Sequence, residues 1–410
     1  MAKKMLFLFV LLLSLTGMLK AQVTTAGMSG KVMADEESVI GATVVAVHEP
    51  SGTSYGTVTN VDGRFSLQGM RSGGPYKVTV SYIGYQTAIY TDIQLQLGET
   101  YSLNVTLHEA SELLGEITIT ASKSKFSAEK TGATTNISSE QLTTLPSINR
   151  SISDFTRISP YASGNSFGGR DGRSNTFTVD GANLNNNFGL SSGLPGGGNP
   201  ISLDAIDEVQ VVIAPYDVRQ ANFIGAGINA ITKSGTNAYR GSAYMYFNNE
   251  VMRGNKIGDT DFGVRAEESK TVYGATFGGP IIKDKLFFFA NVEYEKSPQQ
   301  VITWRAAKEG ETPNNSTISR TTEADLAEFS QILKDKYGYN TGSFTDFPAD
   351  ITNLKLLGRI DWNINQGNKL SVRYNFTNNK TWEAPNGSSG NTGYRLAYNR
   401  VSAYSMSYAN

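Results

Sequence analysis

The stretch Ser202–Phe247, SLDAIDEVQVVIAPYDVRQANFIGAGINAITKSGTNAYRGSAYMYF, decides how the rest of the chain is read. Val209, Val211 and Ile213 alternate with Gln210 and Val212, which predicts a partly buried strand. Gly225 and Gly227 fall inside the next apolar run, where glycine weakens a strand unless another backbone passes close by. Lys233–Asn237 is turn chemistry. From Gly241 onward the residues alternate again, now with aromatics prominent. The chain therefore leaves a globular unit and enters long alternating strands.

Side-chain parity carries that reading toward the C-terminus. In Leu286–Glu295, Leu286, Phe288, Ala290, Val292 and Tyr294 share one face, while Asn291, Glu293 and Glu295 share the other after Phe287 and Phe289. In Leu354–Asn365, Leu354, Leu356, Ile360, Trp362 and Ile364 oppose Lys355, Arg359, Asp361, Asn363 and Asn365. A short turn at Gln366-Gly367 follows, and then Leu370, Val372, Tyr374 and Phe376 oppose Lys369, Ser371, Arg373, Asn375 and Thr377. Ten-residue strands with one apolar, aromatic face and one charged, amide-rich face suit a membrane barrel, with lipid outside and a polar lumen inside. The stretch from about Ala306 to Ala349 is expected to form an extracellular loop. It carries a helix over Glu323–Tyr337, with Leu326, Phe329 and Leu333 on one face.

The order in Ser202–Phe247 resembles the plug-to-barrel junction of TonB-dependent outer-membrane receptors. PYDVRQANFIGAGINAITKSGTNAYRGSAY and FGGPIIKDKLFFFANVEYEK look more like the Oar-type branch than the glycan-importing SusC proteins. The resemblance implies a barrel of about 22 strands around a plug. Roughly six to eight alternating strands follow the plug here, too few to enclose it, so the sequence reads as the N-terminal portion of a larger receptor.

Bulk composition agrees with an extracytoplasmic β protein. Of 410 residues, 42 are Gly, 20 Tyr and 19 Phe, charged residues make up 18%, and the formal net charge is −1. That balance gives no electrostatic case for nucleic acid. With no cysteine, disulfides and thiolate metal sites are excluded. Lys3, Lys4, the apolar run Met5–Leu15 and the small residue Ala21 form a secretory signal over residues 1–21.

Residues 22–109 read as a small β-sandwich. Gly30–Met33 begins a strand, Ile40–Val47 is a longer apolar one, and Asp62-Gly63 is expected to close a two-residue hairpin between Thr57 and Leu67. Tyr76, Val78, Val80 and Tyr82 alternate with polar residues, and Leu103, Val105 and Leu107 close the unit. GATV, TVTNVDGRFSL and VSYIGYQT are similar to the carboxypeptidase regulatory-like domain. The name implies no peptidase: His48 and His108, the two histidines, lie in different strands without a zinc-ligand motif and read as surface or edge residues.

Residues 110–133 form a connection. Within it Glu116, Ile117, Thr118, Ile119, Thr120 and Ala121 resemble a TonB box, an extended peptide that adds as a strand to the periplasmic energy-coupling protein TonB. Residues 134–236 read as an α+β plug. Ser138 can cap one short helix and Ser151 begins another, with Pro146 and Pro160 as stops. Arg170, Asp171 and Arg173, then Asn183, Asn185, Asn186, Asn187 and Phe188, sit in Gly/Asn-rich loops suited to meet a ligand at the barrel mouth. Asp207 and Glu208, with Arg219, are candidates for ion pairs between plug and wall. Residues 237–410 are the first part of the barrel.

The fold class expected is thus mainly β: an N-terminal sandwich, an α+β plug and the first strands of an antiparallel transmembrane barrel. The function implied by the resemblance is TonB-driven uptake of an extracellular ligand across the outer membrane, without cofactor, metal or catalytic constellation. The alternative is a surface binding or adhesion protein of the same architecture without transport. The residues do not select between peptide, glycan, siderophore and cobalamin ligands.

Overall fold

The computed structural model describes residues 23–34, 37–109, 117–120, 133–147, 150–185, 194, 199–215, 217, 220–261, 268–298, 305–313, 318–342, 350–383 and 402–409. The expected signal at residues 1–21 lies outside them.

The first unit is two facing sheets. One centres on β1 (Ala26–Ala34). The other contains β2 (Thr43–His48), β3 (Thr53–Val58), β5 (Gly73–Ser81) and β6 (Ala88–Leu95). β1 pairs antiparallel with β4 (Arg64–Met70) and parallel with β7 (Thr100–Ser102) and β8 (Val105–Leu107). The second sheet runs β9-β6-β5-β2-β3, where β9 is Ile117–Thr120. Met28, Val32, Phe65 and Leu67 from the first sheet meet Val44, Ala46, Tyr76, Val78, Val80 and Ile93 from the second in one buried core. Period-2 alternation on both sides produces this, because each strand turns its apolar side to the gap between the sheets.

Two expectations fail in this unit. Asp62-Gly63 does not close a hairpin: β3 pairs β2 in one sheet and β4 pairs β1 in the other. The turn instead carries the chain across the sandwich. Asn60 organises it, its Oδ1 accepting the N–H groups of Asp62 (3.0 Å) and Arg64 (2.8 Å). A side-chain-capped turn of this kind is open to sheet switching where a two-residue hairpin turn is not. His48 is also buried rather than superficial, its Nδ1 2.7 Å from Ser51 Oγ. Burial, with the Arg71 guanidinium nearby, pushes its imidazole down to about 3.

The middle unit is a five-stranded sheet in the order β10-β13-β14-β11-β12. Its strands are β10 (Thr134–Ser138), β11 (Thr176–Val179), β12 (Ala182–Asn183), β13 (Ile206–Val212) and β14 (Gly227–Thr232). Helices α1 (Ser139–Thr144) and α2 (Ile152–Thr156) begin with capping boxes at Ser138 and Ser151. β13 lies between β10 and β14, with nearly every side chain buried, so both of its faces are covered. Gly225, just before β14, and Gly227 within it answer to side chains more than to backbone. A Cβ on Gly225 would lie 2.3 Å from Asn175 Oδ1, which accepts the Ala226 N–H at 2.9 Å.

The third unit is a six-stranded antiparallel sheet, β15 to β20 in chain order: Arg240–Asn249, Ser269–Ile282, Leu286–Pro298, Asp350–Asn363, Lys369–Glu383 and Ser402–Ala409. Sequential up-and-down pairing of long strands is the barrel pattern. The predicted parity holds. Phe287, Phe289, Asn291, Glu293, Lys355, Arg359 and Asp361 are buried against the middle unit. Val292, Ile360, Trp362, Val372 and Tyr374 point away, with Ile360 47% and Tyr374 55% exposed. The apolar ribbons thus do not converge on a dry interior between stacked layers. α3 (Glu323–Tyr337) forms as expected, opened by a Thr322/Asp325 capping box and closed at Gly338 in the left-handed region. Leu326 is buried on it while Phe329 is exposed.

Candidate functional site

Entry into the barrel wall presses the backbone of Lys233–Asn237 onto it. A Cβ on Gly235 would fall 2.4 Å from the Phe288 carbonyl and 2.7 Å from that of Gly279. Only glycine fits without a shift of backbone. This close approach aligns the inner face of the wall with the polar residues of the middle unit.

A buried charge cluster follows from that alignment. Arg359 and Arg373 are register partners on β18 and β19, both on the inner face. Like charges directly opposite one another destabilise a sheet. Asp180 of the middle unit relieves the conflict, with Oδ1 3.9 Å from Arg359 Nη1 and Oδ2 3.5 Å from Arg373 Nε. Asp361, two residues along β18, takes Arg359 in a forked pair (Nε–Oδ2 2.8 Å, Nη2–Oδ1 3.1 Å). Its remaining capacity is filled by Ser234 Oγ at 2.7 Å, Ser371 Oγ at 2.5 Å and Arg71 Nη2 at 3.3 Å. Asp180 also accepts the Thr232 N–H (3.0 Å) and hydroxyl (2.6 Å), which fixes it to β14. Asp207 faces the same cluster; burial raises its carboxyl above the usual range against the pull of Arg359, Lys233 and Arg71.

A second cluster lies higher on the sheet. Glu293 and Lys355 are register partners, joined at 2.8 Å. Glu293 Oε2 accepts the Ser202 and Tyr244 hydroxyls, each at 2.8 Å. Arg150 pairs with Asp204 and lies 3.8 Å from the centre of the Tyr246 ring. Both clusters bridge the middle unit and the wall. In the first, the cations facing Asp180 belong to the wall, so separation would strand it. In the second, Glu293–Lys355 and Arg150–Asp204 pair within their own units, and the Ser202 hydroxyl on Glu293 and Arg150 at 3.9 Å from Glu293 make the crossing.

The sandwich joins the same junction. Glu208 was expected to pair with a wall cation, but it turns to the sandwich instead. Both carboxylate oxygens accept the Leu97 N–H at 3.0 Å, while Gln210 Nε2 donates to the Leu97 carbonyl. Burial, reinforced by the nearby Asp207 and Glu99 carboxylates, pushes Glu208 up to about 8 against the opposing Leu97 bond. At the wall, Asn363 Nδ2 donates to Thr53 Oγ1 (2.9 Å), the Asn237 N–H donates to the Pro50 carbonyl (2.8 Å), and Lys369 Nζ lies 3.1 Å from the Tyr55 ring centre. With Arg71 on Asp361, the sandwich is fastened to both the middle unit and the turn end of the wall.

The predicted ligand loops are described in part. Arg170, Asp171 and Arg173 are exposed or half-exposed, and Arg173 Nε is bonded to Asp171 Oδ1 at 2.9 Å. Asn183 Oδ1 accepts the Asn185 N–H at 2.7 Å. Asn185 itself is structural: its Oδ1 accepts the Phe177 N–H (2.6 Å) and its Nδ2 reaches Thr176 Oγ1 (3.3 Å). Asn186, Asn187, Phe188 and Arg219 lie outside the described residues, as do Glu116 and Ala121. Ile117–Thr120 is β9, parallel to β6 at the edge of the sandwich. Asp180, Arg359, Arg373 and Arg71 escaped the sequence reading as site residues. The one available signal was two arginines equally distant from Gln366 in the predicted turn, which sets them opposite each other.

Residues 27–108 match the carboxypeptidase regulatory-like domain, and residues 231–409 match the outer membrane beta barrel domain. These matches agree with the fold, a carboxypeptidase regulatory-like domain on the sandwich and an outer membrane beta barrel domain on the long antiparallel strands. The chain is similar to the TonB-dependent transporter Oar of Myxococcus xanthus, 25% identical over 344 residues, a match covering 79% of this chain and 30% of that transporter. The chain thus spans under a third of the length of that relative. Solved structures similar to it include the siderophore receptor PirA from Acinetobacter baumannii, 19% identical with a TM-score of 0.39, covering 61% of this chain and 32% of that one. Another is a mutant ferric enterobactin receptor PfeA from Pseudomonas aeruginosa in complex with enterobactin. It is 14% identical with a TM-score of 0.41, covering 62% of this chain and 34% of that one.

Proposed function

We propose that this chain forms the sandwich, plug and first wall strands of a receptor that takes up an extracellular ligand across the outer membrane, driven by TonB. In this reading residues 22–109 are the sandwich, 110–133 the connection with its coupling segment, 134–236 the plug and 237–410 the wall. The observation that carries it is the pair of buried charge clusters joining the middle unit to the inner face of the sheet. A plug held to the wall by these polar clusters, with an apolar contribution from Phe289 and Leu357 of the wall, can be shifted by a pull from one side. Glu116–Ala121 is the segment pulled, the Arg170–Arg173 and Asn183–Phe188 loops face the ligand, and the outward ribbons meet the bilayer.

The purified periplasmic domain of TonB tests the reading. The wild-type chain in detergent should capture it, and deletion of residues 116–121 should abolish capture. Capture that is absent from wild type, or unchanged by the deletion, would refute coupling through this segment. The first result would favour a surface-binding protein that works without transport.

A further inference from the structure

The candidate coupling segment is already paired in the resting chain. β9 lies parallel to β6 with Ile117 opposite Ala88, Thr118 opposite Ile89, Ile119 opposite Tyr90 and Thr120 opposite Thr91. On its other side β6 pairs with β5, so β9 covers what would otherwise be an open row of N–H and C=O groups. An open row of that kind is a template for strand addition. Strand addition is also the mode by which an extended coupling peptide would meet its partner, with main-chain bonds supplying the affinity.

We infer that the sandwich sequesters the coupling strand: β6 is an internal competitor for the main-chain edge that TonB must pair with, and release of β9 from β6 is the step that admits TonB. The inference rests on the receptor reading proposed above, and adds a regulatory role for the sandwich that the reading alone does not contain.

Three observations support it. The receiving strand is rigid, since Ala88, Tyr90, Ile93 and Leu95 are buried in the sandwich core. The sandwich is held in place by Arg71 on Asp361, Asn363 on Thr53 and the Glu208–Gln210 clamp on Leu97. It therefore cannot simply travel with the strand when the strand is pulled. Finally, nine residues separate the end of β8 at Leu107 from Ile117, and a tether this short sets an effective concentration on the order of millimolar for the internal pairing. The pairing is nonetheless reversible in kind: it spans four residues, and parallel pairing is slightly the weaker geometry. An external strand thus binds with an apparent affinity reduced by the fraction of time β9 is free.

The chain has no cysteine, so one introduced pair reports on this contact alone. Thr91 and Thr120 are register partners; neighbouring strands lie about 4.8 Å apart, within the Cα span a disulfide bridges. The full chain carrying Thr91→Cys and Thr120→Cys should cross-link under mild oxidation. Its oxidised form should lose capture of the TonB periplasmic domain by at least about tenfold, and reduction should restore it. Absence of the cross-link while both single-cysteine chains label normally would overturn the inference. So would equal TonB capture by the oxidised and reduced forms.

Hydrogen exchange on the unmodified chain gives an independent arm. The amides of Ala88–Thr91 that face β9 should be protected at rest and lose protection when the TonB domain is added; protection that is unchanged on TonB binding refutes sequestration. A cross-link that closes in a chain unable to capture TonB in any form, wild type included, points instead to failure of the receptor reading. Sequestration of a coupling strand then falls with it.

Discussion

Glu208 makes the contact between sandwich and middle unit dependent on pH, in a direction that the structure fixes. Its carboxyl is buried at 6% exposure and is raised from 4.5 to about 8. A carboxyl raised in the docked state favours docking when protonated. The stabilisation is fully present below about pH 4.5 and is lost progressively as the pH rises to about 8. At about 1.4 kcal/mol per pH unit, the whole interval amounts to about 5 kcal/mol, a ceiling because local opening readmits water before the chain unfolds. Glu208→Gln keeps an oxygen for the Leu97 N–H and removes the titration. The assay is hydrogen exchange at the Leu97 amide, corrected for the intrinsic rate, between pH 5 and 9. In wild type the protection should fall by about two orders of magnitude between pH 5.5 and 7.5, whereas Glu208→Gln should be flat. A pH-independent wild type, or a Glu208→Gln chain with the wild-type slope, would refute the argument that burial governs this carboxyl.

Asp180→Asn isolates the charge at the cluster between the middle unit and the wall, because asparagine tolerates the left-handed backbone there (φ 49°). With Arg359 and Arg373 left opposed, thermal unfolding in detergent should show a loss of about 3 kcal/mol or more. Arg359→Met removes the forked partner of Asp361 but leaves it Arg71, and leaves Asp180 with Arg373, so it should cost less than Asp180→Asn. Gly235→Ala forces a Cβ into two wall carbonyls and should lower stability by about 1–3 kcal/mol, read from the same melting curves. Ile360→Lys places a charge on the outward face and should reduce folding into lipid vesicles by about 2–4 kcal/mol if the residue sits near the midplane. The inward neighbour Arg359 is already a buried cation, so an effect confined to Arg359 and absent at Ile360 would overturn the assignment of faces.

The alternation at Leu286–Glu295 and Leu354–Thr377 was legible in the sequence because strand parity is local: each residue's face follows from its neighbours two positions away. The same holds for α1, α2 and α3, whose caps and apolar spacing lie within a few residues of one another. Pairing between distant segments has no such signature. Asp62-Gly63 has the chemistry of a hairpin turn, yet only the packing of Phe65 and Leu67 against the opposite sheet decides that β4 leaves β3 for β1. Glu208 sits beside Asp207 in sequence, but alternate directions along β13 send one toward Leu97 of the sandwich and the other toward Arg359 of the wall. The strand propensity of Ile117–Thr120 was readable, whereas its place on β6 was not, because main-chain bonds accept nearly any extended segment. Sequence by itself determined which side of each strand is greasy and where the helices begin. Only the tertiary structure decided which charges meet, since buried ion pairs depend on through-space distances between residues far apart in the chain.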